Sequence, residues 1–302
     1  MVRLGKRVVI LRLVAALVAV LAVSITVGDY YPEIRFRLLY QSYECGGTGA
    51  PCKVGERQYS ALFPRGEGPF PAVLYFHGSG GTGQGSIQDI DLVQPFLEHG
   101  YAFIAPTALE ISYYNGPGTG WVWALGPDER DDFGFSSDVI TDAVERFPLD
   151  PDRIVVAGHS RGGSFAWYLA CAERDPRFRA FAPINGTPLR DQLGPCAHSG
   201  FDFDMLHTHG YDDSVIPFGG STPKPGWSGY MGAVEVVDSL AALVGCETAD
   251  VLRKEDFDQR AWAGCPGDSS ISVLGFQGGH RVPKWWPVEV MAWFDSLRPS
   301  KP

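Results

Sequence analysis

A Gly-x-Ser-x-Gly pentapeptide between an apolar run and a helical segment constrains this chain more than any other feature of its sequence. Residues 154–157 are apolar and of strand type, 158–162 are the pentapeptide with Ser160 at its centre, and 163–170 continue with small and aromatic residues. Flanking glycines let the backbone turn sharply from a strand into a helix, which exposes the serine oxygen above a sheet. This context predicts that Ser160 is a nucleophile, and a purely structural turn is the alternative.

Five apolar runs that end in turn residues predict buried strands. They cover residues 72–76, 102–105, 154–157, 205–209 and 271–276, and helical patterns at 137–147 and 234–243 lie among them. Strands that alternate with helices predict a mostly parallel sheet, in which catalytic groups gather at the carboxyl ends of the strands. The Gly/Pro-rich stretches 113–120 and 217–229 are expected to be loops. No internal repeat or linker divides the chain, so we expect a single domain over residues 29–302.

A glycine-rich loop at residues 77–82 follows the first apolar run. Backbone N–H groups of such a loop suit an oxyanion hole, because acyl transfer places negative charge on the carbonyl oxygen of a substrate. We expect two donors, the amide of Arg161 and the amide of either Ser79 or Gly80. A phosphate-binding loop is the alternative, but the sequence lacks the Gly-Lys-Ser/Thr ending of that motif.

Two further turns offer the partners that a serine nucleophile needs. The turn at 209–217 carries Asp212 and Asp213, and Gly278-Gly279-His280 follows the last apolar run. An imidazole accepts the proton of the serine, and a carboxylate bonded to the imidazole fixes its tautomer. We choose His280 as the base and Asp213 as the acid, with Asp212 as the alternative acid.

Other polar and aromatic residues have more than one interpretation. His207 and His209 lie in or beside a strand and are expected to be core groups, whereas Asp131 and Asp132 precede a helix and are expected to cap it. The side chain of Arg161 would bind an acidic substrate end or pair with a nearby acid.

Four tryptophans near the loops are candidate substrate contacts or, equally, packing residues. These are Trp121, Trp123, Trp285 and Trp286.

The amino terminus has the pattern of an export signal. Four basic residues precede an apolar run that extends to residue 27, and small residues at 22–24 offer a cleavage site. We expect residues 1–28 to be a signal peptide of a secreted or periplasmic protein, with an uncleaved membrane anchor as the alternative. Removal would change the formal net charge from −10 to −14. Such an acidic protein is not expected to bind nucleic acid or an anionic membrane.

The six cysteines suit an oxidising compartment. We expect pairs between neighbours in sequence, which is one of several connectivities that six cysteines allow: Cys45 with Cys52, Cys171 with Cys196, and Cys246 with Cys265. The sequence has no Cys-x-x-Cys spacing and no histidine-rich cluster. We therefore expect neither a zinc site nor another metal site.

Several motifs carry a family resemblance. They are residues 131–135, residues 150–154, the segment 171–186, and the His-Gly-x-x-Asp-x-x-x-Pro turn at 209–217. Together with the Ser, acid, His order they resemble the polyhydroxybutyrate depolymerase and feruloyl esterase group of secreted α/β-hydrolases, over roughly residues 56–290. The resemblance implies an α/β-hydrolase fold, a mostly parallel central sheet with helices on both faces, and no cofactor. It supports Ser160 as the nucleophile, Asp213 as the acid and His280 as the base. The sequence departs from the group at Arg161 and at 281–286.

These features together predict a secreted serine carboxylic-ester hydrolase that works through an acyl-enzyme. Its expected substrates are polyhydroxyalkanoate-type polyesters or oligomers, or feruloyl and acetyl esters of plant polysaccharide. A peptidase or amidase with the same triad is the mechanistic alternative. A non-catalytic carbohydrate- or polyester-binding protein on this scaffold is the alternative from a different class. A membrane contact is expected only if residues 1–28 stay attached, and the sequence leaves the oligomeric state open.

Overall fold

The computed structural model describes residues 32–113, 116–123, 130–172, 175–192 and 203–297. The strands are β1 (Tyr40–Gln41), β2 (Cys52–Val54), β3 (Arg57–Pro64), β4 (Phe70–Phe76), β5 (Ala102–Pro106), β6 (Glu110–Tyr113), β7 (Gly116–Thr119), β8 (Leu149–His159), β9 (Ala180–Ile184), β10 (Asp204–Gly210), β11 (Thr248–Arg253), β12 (Phe257–Ala263) and β13 (Ile271–Phe276). The helices are α1 (Pro32–Leu39), α2 (Gly83–Gln88), α3 (Ile90–Glu98), α4 (Asp132–Arg146), α5 (Arg161–Ala172), α6 (Ala233–Val244) and α7 (Trp286–Ser296). The expected signal segment 1–28 lies outside the described residues.

One large sheet organises the described part of the chain. Its strand order is β1-β3-β5-β4-β8-β9-β10-β13-β12-β11, with β2 paired to β3. The strands from β5 to β13 in this order run parallel, and the strands at both edges pair antiparallel. The mostly parallel sheet is therefore confirmed, and all five apolar runs lie within its parallel strands. The sequence patterns do not predict β9, because Pro183 interrupts its apolar run.

Two hydrophobic clusters cover the two faces of this sheet. Alternate residues of β4 point to opposite faces, so that Leu74 and Phe76 join one cluster whereas Val73 and Tyr75 join the other. The first cluster includes side chains of α4, α5 and α6, and the second includes side chains of α1, α2, α3 and α7. Strands buried on both faces read as continuous apolar runs, which explains why they are visible in the sequence.

One local expectation is wrong, and another holds only in part. In the stretch 113–120, residues 113 and 116–119 are not loop residues but belong to the antiparallel pair β6 and β7. Asp131 does cap α4, since its carboxylate accepts the Gly134 amide at 3.0 Å. Asp132, however, lies buried in the first turn, where it pairs with Arg57 at 2.7 Å and Arg130 at 3.0 Å. A buried charge is tolerated when it is paired and hydrogen-bonded, and these arginines could not be identified from local sequence.

Two of the expected disulfides are present. Cys45 bonds Cys52, and Cys246 bonds Cys265. Cys171 is disulfide-bonded as well, and its expected partner Cys196 lies outside the described residues. Within the described ranges, none of the helices has the length and apolar character that a bilayer crossing requires.

Candidate active site

Ser160 occupies the turn between β8 and α5. Its φ angle is 58°, and its amide donates to the Ile184 carbonyl of β9 at 3.0 Å. A non-glycine residue in the left-handed region is strained, and such strain persists only where the surrounding structure holds it. The predicted strand, turn and helix around this serine are thus all present.

Gly162 lies against the backbone of β4, which makes a side chain there costly. A Cβ at this position would lie 2.0 Å from the Phe76 carbonyl oxygen and 2.6 Å from that of His77. We expect Gly162→Ala to lower the free energy of unfolding by about 3 kcal/mol, as measured by urea denaturation. The control is Gly219→Ala, an exposed loop position with nothing within 4 Å of the added carbon. Equal stability of the two variants would contradict this view of the turn.

The structure brings Ser160, Asp213 and His280 together. His280 Nε2 lies 2.8 Å from Ser160 Oγ, and His280 Nδ1 lies 2.7 Å from Asp213 Oδ2. Because an ionised carboxylate only accepts, the neutral imidazole carries its proton on Nδ1, and Nε2 is left to accept the serine proton. The three residues follow β8, β10 and β13, whose carboxyl ends meet at one edge of the sheet. Asp212, the alternative acid, is exposed.

Asp213 is buried, and its carboxylate is fully occupied. Oδ1 accepts the amides of Val215 at 2.8 Å and Ile216 at 2.9 Å. Burial alone would raise the pKa of Asp213, but hydrogen bonds from the His209 and His280 rings and from these two amides outweigh it. The pKa of Asp213 is therefore held well below its usual value, and the group stays ionised beside His280.

The glycine-rich loop lies directly beside Ser160. A Cβ on Gly78 would lie 3.3 Å from Ser160 Cβ, and the Gly80 amide already donates to the Thr119 carbonyl at 2.8 Å. Of the two expected oxyanion donors in the loop, this leaves Ser79 as the better candidate. Arg161 is the first residue of α5, so its amide lies at the amino end of this helix, next to Ser160.

Buried His77 fixes the shape of this loop. Its Nε2 accepts the Ala108 amide at 3.1 Å, and its Nδ1 lies 2.7 Å from the Gly78 carbonyl oxygen, to which it donates. The Trp121 indole N–H donates to the His77 carbonyl at 2.9 Å from the other side. The local sequence does not reveal this supporting role of Trp121, because the role depends on a hydrogen bond between segments distant in sequence.

Two neutral histidines, buried His77 and partly exposed His159, are expected to make the fold sensitive to acid. Burial lowers the pKa of His77 to about 4 and that of His159 to about 4. An unfolded histidine titrates near 6.5, so the unfolded state gains protons first as the pH falls. The contribution of these rings to stability should be complete above about pH 6.5 and should fall progressively down to about pH 4, by up to about 3 kcal/mol for a buried ring such as His77. Urea denaturation at pH 7.0, 5.5 and 4.5 tests this expectation, and a flat profile would refute it.

The four candidate tryptophans divide into two groups. Trp121 and Trp286 have no exposed surface. Trp286 donates to the Thr208 hydroxyl at 3.2 Å, and Trp121 stacks on Phe165, with ring centroids 5.2 Å apart. A substrate cannot reach either ring, so the expectation that they contact it is wrong, and both are packing residues.

Trp123 and Trp285 are partly exposed. Trp123 stacks on Tyr168 at a centroid distance of 4.8 Å. The guanidinium carbon of Arg161 lies over the Trp123 ring, 4.5 Å from its centroid. Arg161 also donates from Nε to the Trp121 carbonyl at 2.7 Å. Trp285 packs on Phe257 and lines a cavity of about 560 Å³, whose lining includes neither Ser160 nor His280.

Two further features beside the site are not evident from the sequence patterns. Buried Asn185, with φ 48°, accepts the Gly210 amide at 2.9 Å and donates to the Arg281 carbonyl at 2.8 Å. It thereby ties the end of β9 to the segments that carry Asp213 and His280. The second feature is the pair His207 and His209, whose rings contact each other behind Asp213. No group of three or more metal-ligating side chains occurs among the residues that the structure describes.

Comparison with known proteins agrees with this fold. Residues 64–223 match the family described as phospholipase/carboxylesterase. Feruloyl esterase B of Piromyces equi is 26% identical over 53% of this chain, but the match spans only 31% of that enzyme. Poly(3-hydroxyoctanoate) depolymerase of Pseudomonas fluorescens is 30% identical over 55% of this chain and 65% of its own length.

Solved structures share the fold. An acetyl xylan esterase from Aspergillus awamori superimposes with a TM-score of 0.60 at 17% identity, over 80% of this chain and 94% of that structure. The fold and the similar proteins thus define an α/β-hydrolase of the carboxylesterase type. The chain belongs to the phospholipase/carboxylesterase family, whose matched region includes Ser160 and Asp213.

Proposed function

We propose that this protein is an exported serine carboxylic-ester hydrolase in which Ser160, His280 and Asp213 form the catalytic triad. The observation that carries the proposal is the unbroken series of contacts from Asp213 Oδ2 through His280 to Ser160 Oγ, at 2.7 and 2.8 Å. These distances lie within the reach that proton transfer requires. The family supplies the reaction class, and the geometry supports the residues that perform it.

In the first half of the reaction, Ser160 Oγ attacks the ester carbonyl carbon while its proton passes to His280 Nε2. Asp213 stabilises the imidazolium that forms. When the tetrahedral intermediate collapses, the carbon–oxygen bond to the alcohol breaks, and His280 returns the proton to the departing alcohol oxygen. In the second half, water attacks the acyl-enzyme with the same two proton transfers, which releases the acid and restores Ser160.

The oxyanion donors in this mechanism are the backbone amides of Arg161 and Ser79. Both residues adjoin the nucleophile, one at the start of α5 and the other in the loop that contacts Ser160 through Gly78. Fixed amide donors stabilise the negative charge that develops on the carbonyl oxygen, and they need no reorganisation as it forms.

We propose that the substrates are polyhydroxyalkanoate-type polyesters or oligomers, or feruloyl and acetyl esters of plant polysaccharide. The names of two similar proteins, a feruloyl esterase and a poly(3-hydroxyoctanoate) depolymerase, support these classes. Trp123, partly exposed beside Arg161, is the proposed aromatic contact near the nucleophile, and Trp285 is the proposed contact for a longer chain. Aromatic faces bind sugars, phenolic rings and apolar chains.

Export of residues 29–302 as one catalytic domain, after removal of residues 1–28, completes the proposal. The disulfides Cys45–Cys52 and Cys246–Cys265 are consistent with an extracellular protein. Amino-terminal sequencing of the protein recovered from the culture medium or periplasm would locate the cleavage site. Recovery of the full chain in the membrane fraction would support the anchor instead.

Hydrolysis of a substrate panel by the purified protein tests the activity. The panel comprises p-nitrophenyl acetate and butyrate, methyl ferulate, acetylated xylan and polyhydroxybutyrate. Preference for methyl ferulate or xylan would support a plant-wall role, and preference for the polymer would support a polyester role. Turnover of peptides or amides but of no ester would favour a peptidase, and the absence of any turnover would favour a binding protein.

A further inference from the structure

Three buried rings form a hydrogen-bonded series behind Asp213. The indole N–H of Trp167, on α5, donates to His207 Nδ1 at 3.1 Å. His207 Nε2 lies 3.1 Å from His209 Nδ1, and His209 Nε2 lies 2.7 Å from the Ile216 carbonyl oxygen. The two histidines are two residues apart on β10, so they share one face of the sheet. None of the three rings is more than 1% exposed.

The chemistry at the two ends fixes the direction of every hydrogen bond. An indole nitrogen only donates, so His207 Nδ1 accepts and its proton lies on Nε2. This proton is donated to His209 Nδ1, which places the proton of His209 on Nε2. The Ile216 carbonyl only accepts and requires the same arrangement. Both rings are therefore neutral Nε2–H tautomers, and burial, which lowers the pKa of His207 well below its usual value, favours this state.

The series ends at the triad carboxylate. His209 Nε2 lies 3.4 Å from Asp213 Oδ2, the same oxygen that bonds His280. His209 also holds the carbonyl of Ile216, and the amide of Ile216 donates to Asp213 Oδ1. One imidazole thus fixes the turn whose amides hold one oxygen of Asp213 and directs a polar N–H toward the other oxygen.

We propose that His209, held in its tautomer by His207 and Trp167, is a positioning residue for Asp213 in ester hydrolysis. The inference rests on the proposed function of the triad. It assigns a role to the two histidines that sequence analysis interpreted as core groups. The arrangement keeps Asp213 ionised and aimed at His280 Nδ1, so that His280 is held as a base toward Ser160.

Loss of the His209 donor should also change the pH dependence of the reaction. The titratable groups that face Asp213 are His209 from β10, His280 after β13 and His159 at the end of β8. Without the His209 N–H, the carboxylate concentrates its charge on His280 and holds the imidazolium more strongly. The acidic limb of the profile of kcat/KM should therefore move to higher pH.

Two variants of similar side-chain volume separate this role from packing. His209→Leu removes the donor, whereas His209→Gln keeps an N–H near the position of Nε2. With p-nitrophenyl acetate as the probe, we expect His209→Leu to lower kcat by about 10-fold, with little change in KM and with the acidic limb shifted upward. The His209→Gln variant should retain most of the wild-type kcat. Equal kcat and pH profiles for wild type and His209→Leu would overturn the proposal, as would equal losses in both variants.

Nitrogen-15 NMR of the histidine rings supplies a test that needs no turnover and no substitution of His209 or of the triad residues. We expect His207 and His209 to show neutral Nε2–H tautomers at pH 7, and Trp167→Phe to disturb the His207 signals. A protonated ring or an Nδ1–H tautomer in wild type would overturn the proposal even if the protein folds and hydrolyses esters. If the wild-type protein hydrolyses no ester, the proposed function is refuted instead. The failure of the proposed function is thereby distinguished from the failure of the proposed role of His209.

Discussion

Replacement of Ser160 by alanine is expected to lower kcat on p-nitrophenyl acetate by at least about 10⁴-fold. Ser160 Oγ is the atom that lies 2.8 Å from His280 Nε2, and alanine leaves the base with no nucleophile to activate. The residual rate would come from the oxyanion donors and from substrate binding. Steady-state kinetics with enzyme prepared in parallel with wild type measures the effect.

Ser239→Ala is the matched control for this loss. The Ser239 hydroxyl donates to the Glu235 carbonyl within α6 and contacts none of the triad residues. Its variant should keep wild-type kcat within about twofold, because surface substitutions of this kind have small effects. Retention of more than about a tenth of the activity by Ser160→Ala would show that another group is the nucleophile.

Asp213→Asn is expected to reduce kcat by about 10⁴-fold while the protein stays folded. The amides of Val215 and Ile216 both donate to Oδ1, so the oxygen of the new amide must take that place. Its NH₂ group then faces His280 Nδ1, where the carboxylate oxygen lay at 2.7 Å. A donor there forces the proton of His280 onto Nε2, and this tautomer cannot accept the proton of Ser160.

The adjacent Asp212→Asn tests this assignment in the same assay. Asp212 is exposed, and no side-chain contact with His280 is found for it in the described structure. The Asp212→Asn variant should retain wild-type activity within about twofold. The reverse result, with activity lost in Asp212→Asn and kept in Asp213→Asn, would identify the alternative acid of the sequence analysis as the correct one.

The sequence predicts the parts of the site that depend on local patterns. Ser160, Asp213 and His280 each follow an apolar run, and in a parallel sheet the carboxyl ends of such runs share one edge. Their approach to within hydrogen-bonding distance therefore follows once the parallel sheet is inferred. The disulfides found between neighbours in sequence are predictable for the same reason, since short separations bring the residues close.

Features that depend on pairing between distant segments were not predictable. The partner of Asp132 is Arg57, and local sequence offers no reason to prefer it over a helix-capping role. The same holds for Trp121, whose burial depends on α5 and the glycine-rich loop packing around it. A tryptophan in a Gly/Pro-rich segment has the same local pattern whether its ring lies in the core or at the surface.

The role of His207 and His209 illustrates the limit most directly. Their alternation on β10 predicts burial on one face, and both rings are indeed buried. The pattern does not reveal that Trp167 lies at one end of the pair and the turn of Asp213 at the other. Those neighbours belong to other elements, and they determine whether a buried histidine only fills space or also holds a catalytic carboxylate.

Covalent labelling with a fluorophosphonate, followed by peptide mapping of the folded protein, tests the central claim most directly. The reagent reacts with a serine only when a neighbouring base activates its oxygen. We predict a single adduct on Ser160 in wild type, and none at this position in His280→Ala. Absence of an adduct from folded wild-type protein, or an adduct on a different serine, would contradict the proposed catalytic triad.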